Sequence, residues 1–472
     1  MHSLLFHVPF LYNFVVTLHY KERSHMTNDN YNPFDQIFQD LGIKVLNIEH
    51  IKDDGYKSII LHAIPLNDTD AIICCPKCGS TSIKKHGYHT RNIKHIKMFN
   101  YDTTIKLKQC RFICKDCRKT FNEKCDTVDK YSHVSKQLKL DILYSCRTKK
   151  SFKDVGKDLN ISSATVMNTF NKNVYVERRN LTRVICIDEF SSDTDAGKYA
   201  LSIGDPVGCE ILDVLPSRKQ EYIYYYFKNL DEEERKNVKY IITDLFESYR
   251  TVIRNLFFKS THIADRYHWI RLSTNAFNMV RIRIMKSFIK RCEVTKDIDE
   301  RRELSLYASL MKGYYKIFLA NRYRQEASYY AEETKKEIYG KYLTRQDIIE
   351  TVINSDNELE NAYWLLQDLY KISIYSSYES FDQDIKDWFE KVYEYNIKEF
   401  KKVMYTYKEW LKEIRNSFII DDKTHKRLTN GFIEGKNNIC KVIKRNAFGF
   451  KSFEHLRNKI LYISTNKLYI KN

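Results

Sequence analysis

Two groups of residues in this 472-residue chain have the types and spacing of metal ligands. Cys75 and Cys78 form one C-x-x-C pair and Cys114 and Cys117 another, with thirty-five residues between the pairs. A C-x-x-C turn aims two thiolates at one ion, and four thiolates complete a tetrahedral Zn²⁺ site. Such a site has no open position, so its role is structural. Cys74, Cys110 and Cys125 lie close in sequence and compete for these roles; four reduced, buried cysteines are the plain alternative. The second group is acidic: Asp188 in ICIDEF, Asp244 in YIITDLF and Glu434 in TNGFIEGKNNIC. A carboxylate that ends an apolar strand is costly unless it is paired or binds a cation. Three of them can hold two Mg²⁺ or Mn²⁺ ions about 3.5–4 Å apart, one ion activating water or a 3′-hydroxyl and the other stabilising the leaving oxygen. With 61 acids in the chain, spacing alone leaves a structural reading of this trio equally open.

The elements around these residues decide whether they can meet. RVICIDEF, KYALSIGDP and CEILDVLP read as three short strands joined by tight turns, an antiparallel meander. A helix follows, then a strand at VKYIITDLF, a second helix around SYRTVIRNLFF and a strand at THIADRYH. The order β-β-β-α-β-α-β is that of a ribonuclease-H-like sheet, in which the first and fourth strands are neighbours. Asp188 and Asp244, fifty-six positions apart, should then face one another. Glu434 belongs to a later helix, where Gly431 and Gly435 would leave room for close approach. Between Ser217 and Asn430 there is no proline, and the only glycines are Gly313 and Gly340. Long helices tolerate such a stretch and strand-and-turn folds rarely show it. Before the meander, SFKDVGKDLNISSATVMNTF has helical spacing on both sides of a break at Asn160–Ser162, with Ser162 or Ser163 as N-cap. This fits a helix-turn-helix, whose second helix would present Ser163, Thr165 and Asn168 to a DNA major groove; an ordinary helical hairpin is the alternative.

Charge points the same way. The chain carries 79 basic and 61 acidic residues, a net +18, which favours polyanionic partners. The excess is local: Cys75–Thr120 holds twelve Lys/Arg against two acids, and Asn430–Asn472 nine against two. Lys84, Lys85 and Arg91 on the cysteine module, Arg218 after the third strand, and Lys444 and Arg445 beyond Glu434 are the candidate phosphate contacts. Asp265 and His268 form a D-x-x-H at the end of the fifth strand, either auxiliary to the acids or a hydrogen-bonded pair fixing the strand. The apolar first eighteen residues are broken by His7, Pro9 and Asn13, a poor signal peptide and a poor membrane span. The true start is either Met1 or Met26. A cytoplasmic, nucleoid-associated protein with no membrane segment is expected.

From about Phe38 to Leu461 the chain resembles the bacterial insertion-sequence transposases of the ISL-three group. The likeness rests on CPKCGS, RFICKDCRKTF, CIDEFS, LDVLPSR, ITDLFESYR, ADRYHWIR and NGFIEGKNNICKVIKRNAFGFKSFEHLRNKIL. It implies a DDE-type transposase that binds terminal inverted repeats, with Asp188, Asp244 and Glu434 as the catalytic carboxylates. It further implies strand cleavage and transfer with two Mg²⁺ or Mn²⁺ ions, and one structural Zn²⁺ on the four cysteines. The partners would be double-stranded DNA, both ends and target, and further copies of the chain in a dimer or larger synaptic complex. The alternative is a non-catalytic zinc-ribbon/helix-turn-helix DNA-binding regulator derived from an inactive transposase. The fold class is multidomain α+β: zinc ribbon, helix-turn-helix, and a ribonuclease-H-like α/β core interrupted by a long all-helical insertion. The corresponding divisions are 1–33 (disordered or spurious extension), 34–125 (zinc ribbon), 126–178 (helix-turn-helix) and 179–270 (first part of the core). The remainder divides into 271–420 (helical insertion) and 421–472 (Glu-bearing helix).

Overall fold

The computed structural model describes residues 38–53, 56–66, 73–323 and 342–464, with Thr334, Glu337, Ile338 and Gly340. The expected N-terminal extension lies outside the described residues. Contacts divide the chain into two compact units, residues 1–140 and 141–472.

The first unit is built on strands β1 (Ile43–Asp53), β2 (Tyr56–Pro65), β3 (Ile83–Lys94) and β4 (Asp102–Cys114). They stand in the order β1-β2-β4-β3, and a short β5 (Thr120–Asn122) pairs with β4. β4 alternates as a half-buried strand must: Thr103, Ile105 and Leu107 face inward, Lys106 and Lys108 outward. Ile59, Leu61 and Ile93 complete that core. β3 and β4 pair antiparallel, with Ile83 opposite Cys114. Each cysteine pair therefore sits at the same end of one hairpin, which is how thirty-five intervening residues bring the two knuckles together.

The second unit follows helix α1 (Lys136–Ser145) and begins with α2 (Phe152–Asp158) and α3 (Ser163–Asn173). Ser151 and Asp154 form a reciprocal capping box on α2. Ser162 caps α3 by accepting from the Thr165 N–H at 3.1 Å. The turn between them needs a glycine, because a Cβ on Gly156 would lie 2.7 Å from the Ile161 carbonyl oxygen. Phe170 of α3 is fully buried and meets Tyr462, on the last helix, at 5.4 Å between ring centroids. The two helices thus belong to the same compact unit as the strands that follow.

Those strands are β6 (Val184–Thr194), β7 (Gly197–Asp205), β8 (Glu210–Leu215), β9 (Tyr240–Thr243) and β10 (Thr261–Ala264), in the order β10-β9-β6-β7-β8. β6, β7 and β8 form the antiparallel meander; β9 pairs parallel with β6, and β10 parallel with β9. β6 is central and buried on both faces, as a near-continuous apolar run requires. Its alternation sorts the layers. Ile185 and Ile187 pack with Ile223 and Phe227 of α4 (Gln220–Lys228) and with Tyr249 and Ile253 of α6 (Glu247–Leu256). The short α5 (Glu232–Lys236) leads into β9. Val184 and Cys186 pack on the opposite face with Ile433 of α15 (Gly431–Asn446). Asp188 shares the parity of Val184 and Cys186, so it points to the α15 face.

Between β10 and α15 lies the helical insertion: α7 (Arg266–Val294), α8 (Ile298–Gly313), α9 (Tyr315–Phe318), α10 (Arg345–Ile353), α11 (Asn357–Tyr375), α12 (Phe381–Tyr395), α13 (Lys398–Glu409) and α14 (Leu411–Asn416). Its aromatic residues are core, with Trp269, Phe277, Phe381, Trp388 and Tyr407 almost wholly buried in one cluster. The insertion returns to the sheet through α14. Glu413 makes two bonds to Arg250 of α6, at 3.1 and 3.0 Å, and Arg250 lies 3.7 Å from the Trp410 ring centre. Helix α16 (Phe453–Ser464) closes the unit. Among the described residues no helix is long and apolar enough to cross a membrane.

Candidate active site

The four expected cysteines converge. Cys75 and Cys117 sulfurs stand 3.5 Å apart and those of Cys78 and Cys114 3.6 Å, with all four Sγ atoms within 4.8 Å of one another. Four thiolates on a tetrahedral Zn²⁺ with bonds of about 2.3 Å are about 3.8 Å apart, so the set fits that ion. Burial raises the Cys75 thiol, but the Lys77 and Cys78 N–H groups outweigh it and bring Cys75 down to about 6. N–H groups of Cys117 and Asp116 likewise lower Cys114 against its burial. Cys74, Cys110 and Cys125 stay outside the cluster.

The acids converge across a much longer span. Asp188, on β6, is 9 % exposed. Its Oδ1 accepts from the Glu189 N–H at 2.8 Å and its Oδ2 from Asn437 Nδ2 at 2.8 Å. Asp244 immediately follows β9, the neighbour of β6, and Asp188, Glu189 and Asp244 offer oxygens within 4.8 Å of one another. Asp265 is not in a strand, as its motif suggested. β10 ends at Ala264, and Asp265 sits at the N-cap position of α7, which puts His268 in the first turn of that helix. The reason is local: the chain must leave the sheet there, and the i,i+3 spacing of Asp265 and His268 suits a helix start. Asp265, 3 % exposed, accepts from the Asn430 N–H at 2.9 Å and from His268 Nδ1 at 3.1 Å. The same Nδ1 lies 2.6 Å from Asp244 Oδ1, so one ring nitrogen stands between the two carboxylates.

Electrostatics mark this as a site in want of positive charge. Burial, then the Asp244 charge, pushes Asp188 up to about 6. Burial also raises Asp244, against the pull of His268. Glu434, in the first turn of α15, is raised by burial and then by the Asp265 charge. His268 goes the opposite way: burial disfavours its cation, yet Asp244 and Asp265 outweigh that and raise it to about 10. Glu434 joins neither tight oxygen cluster, but it feels Asp265, His268 and Asp244 and so faces the same space.

Asn437 and Gly204, which help position the acids, were not singled out by the sequence. Asn437 stands one turn beyond Glu434 on α15 and is 2 % exposed. Its Oδ1 accepts from the Ser202 hydroxyl at 2.7 Å, which turns its NH₂ toward Asp188. The signal available was only its i,i+3 spacing from Glu434. Glu189, on the other face of β6, accepts from Arg218 Nη1 at 2.7 Å and from the Tyr249 hydroxyl at 2.8 Å. Close approach of α15 to the sheet does not come from Gly431 or Gly435, where a Cβ would meet nothing closer than 3.7 Å. It comes from Gly204 on β7, where a Cβ would lie 2.8 Å from Ile433 Cδ1 and 3.1 Å from Phe432 Cε1. A helix can be packed tightly by a gap in its partner as well as by a gap in itself.

The expected phosphate contacts divide. Lys84, Lys85, Ser163, Asn168 and Arg445 are exposed. Arg91 instead donates to the Ser132 carbonyl, and Thr165 shares a 2.8 Å bond with the Ser162 hydroxyl. Arg218 is held by Glu189 and stacks on Tyr199 at 4.2 Å, beside the acids. Lys444 bonds Asp193 at 2.6 Å and Ser191 at 3.1 Å, because the end of α15 lies along the β6–β7 hairpin.

Comparison with known proteins bears on this arrangement. Residues 185–460 match a family model described as transposase, of the ISL3 type. Residues 72–117 match the zinc-finger of the transposases of IS204, IS1001, IS1096 and IS1165. The chain is similar to the transposase for insertion sequence element IS1001 of Bordetella parapertussis, 20 % identical over 84 % of this chain and 90 % of that protein. A shorter likeness, 29 % identical over 27 % of this chain and 37 % of the other, is to a Lactococcus lactis subsp. lactis protein named ATP-dependent protease.

Proposed function

This chain belongs to the ISL3 family of transposases, and from that premise we propose that it cuts the ends of its insertion sequence and joins them to target DNA by DDE-type, two-metal phosphoryl transfer. The observation that carries the reading is the pairing of Asp188 and Asp244, from a central strand and its parallel neighbour, with oxygens within 4.8 Å of one another; Glu434, on a helix nearly two hundred residues later, lies within range of the Asp244 charge. The strand order β10-β9-β6-β7-β8 supports a ribonuclease-H-like core. The raised carboxyls of Asp188 and Asp244 fit divalent cations, hard ions that take oxygen ligands. Asp188, Asp244 and Glu434 would hold two Mg²⁺ or Mn²⁺ ions, which when bound activate the attacking hydroxyl and stabilise the leaving oxygen. Asn437 fixes the Asp188 carboxylate in rotation, and Asp265 holds the His268 ring at the edge of the site. His268, beside Asp244 and Asp265, stands where a phosphate or leaving group would lie.

Binding would be divided from chemistry. The exposed Ser163 and Asn168 of α3 read bases in a major groove, while Lys84 and Lys85 of the ribbon and Arg445 meet phosphates. Strand transfer needs two paired ends, so the working form is a dimer or larger assembly. A non-catalytic regulator would have no use for three repelling acids at these positions. The test is strand cleavage of duplexes from the DNA flanking the gene, with Mg²⁺ or Mn²⁺. Asp188→Ala, Asp244→Ala and Glu434→Ala should each abolish nicking at the element's ends while retaining binding. Undiminished cleavage by any one of them removes that residue from the metal site.

A further inference from the structure

Among the described residues of the second unit Phe448 is the most exposed large apolar side chain, at 96 %, and it occupies a backbone conformation that suits it badly. Helix α15 ends at Asn446, and Phe448 follows at φ +56°. Its N–H donates to the Arg445 carbonyl at 3.0 Å, and the Gly449 N–H donates to the Lys444 carbonyl at 2.9 Å. These two bonds are a Schellman cap, and Phe448 fills the left-handed position where glycine is favoured. An aromatic side chain is disfavoured there by its Cβ. Full exposure gives nothing back in burial. Phe450, two residues on, contrasts with it: Phe450 is half-buried and meets Phe152 of α2 at 6.5 Å. Neither helix capping nor core packing accounts for an aromatic at 448.

The segment that presents it is firmly held. The Asp195 N–H donates to the Lys451 carbonyl at 2.9 Å, and the Asp195 carboxylate accepts from the Phe453 N–H at 2.8 Å. Asn446 Nδ2 donates to the Lys149 carbonyl at 3.0 Å, joining the segment to the approach to α2. The side chains of Lys149, Arg445 and Lys451 are exposed around this junction. Two acids of the neighbouring hairpin are already engaged, Asp193 with Lys444 and Asp195 with the backbone. A firmly held, exposed aromatic with exposed cations at the same junction has the chemistry of a nucleobase-stacking residue, the cations taking phosphates and the ring inserting at a base step.

We propose that Phe448 is a DNA-stacking wedge, which unstacks a base step of the bound end while the neighbouring Lys149, Arg445 and Lys451 hold its backbone. This rests on the transposase reading given above and adds to it a site for a nucleobase. α15 rises about 1.5 Å per residue, so Glu434 and Phe448 are on the order of 20 Å apart.

The test uses the full chain and a series of duplexes from the DNA flanking the gene, each with one 2-aminopurine whose fluorescence rises on unstacking. Wild type should brighten the probe at one step of the series. Phe448→Gly should melt at a higher temperature than wild type, yet bind roughly tenfold more weakly and lose the fluorescence rise; Phe448→Trp should keep both binding and rise. Phe448→Gly binding within twofold of wild type with the rise intact overturns the wedge, as does a wild type that binds and brightens no position. Cleavage of the same duplexes by wild type in Mg²⁺ separates the outcomes: if wild type cuts and Phe448→Gly is unaltered, the wedge alone fails. If wild type neither binds nor cuts these duplexes, both readings fail.

Discussion

The chain gathers two sets of ligands, and they are assembled in opposite ways. The cysteines lie on one antiparallel hairpin, within forty-three consecutive residues, and their register places them together. The carboxylates come from β6, the end of β9 and the start of α15, spread over 247 residues and interrupted by a helical insertion. The thiolate cluster is closed and supports its own fold. The acid cluster opposes its fold: Asp188 is buried, Asp244 and Glu434 are half-buried, the charges repel, and an amide, a histidine and a glycine gap prop them. A site that must bind ions and substrate keeps unsatisfied charge, whereas a site that only holds a sheet together does not.

That contrast can be broken from either side. Cys114→Ser should cost the first unit its structure, since structural zinc contributes roughly 10 kcal/mol or more of folding free energy in such modules. Chelation should do the same to the wild type, and loss of β-sheet signal with one zinc released per chain is the measurement. If the metal-free ribbon keeps its circular dichroism and melting, the two clusters are not different in kind. Glu434→Gln should do the reverse. It should lower the cleavage rate by about a thousandfold, equivalent to about 4 kcal/mol, yet the metal-free protein should melt no lower than wild type, because one repelling acid is gone. A large fall in melting temperature would show that Glu434 holds the fold together.

Smaller effects test how the distant pieces are held. Arg250→Ala leaves the buried Glu413 without its partner and should destabilise the second unit by about 3–5 kcal/mol. Burial raises Glu413, but Arg250 outweighs it and holds the carboxyl below its ordinary value. This stabilisation is therefore complete above the unfolded value of 4.5 and is lost as pH falls through the lower folded one. The wild-type advantage over Arg250→Ala, read from urea melts, should shrink only under acid conditions. Least in size is Asn437→Ala, which frees the Asp188 carboxylate to rotate. Loss of a residue that orients a metal ligand typically costs about 10–100-fold in metal affinity or activity. The required Mg²⁺ concentration should rise more than the rate at saturating metal falls. An unchanged metal dependence would make Asn437 a packing residue only.

The sequence alone carried the thiolate cluster, since C-x-x-C spacing is a local geometry and an intervening strand pair needs no distant partner. It also carried the near-continuous apolar run that marks β6 as central, and a caps-and-turn pattern that sets α2 and α3. Strand order made Asp188 and Asp244 neighbours before any coordinates did. The tertiary structure alone decided the rest. Asp265 sits at the start of a helix because β10 ends at Ala264 and α7 begins at Arg266. The close approach of α15 depends on Gly204, a residue of the partner strand that no inspection of the helix itself could single out. Arg218 and Lys444 have the same charge as Lys84 and Arg445, but a nearby acid occupies each of them, and which acid is nearby is a property of packing. Local spacing is written along the chain, while the distances between elements far apart in it are fixed only when their faces close.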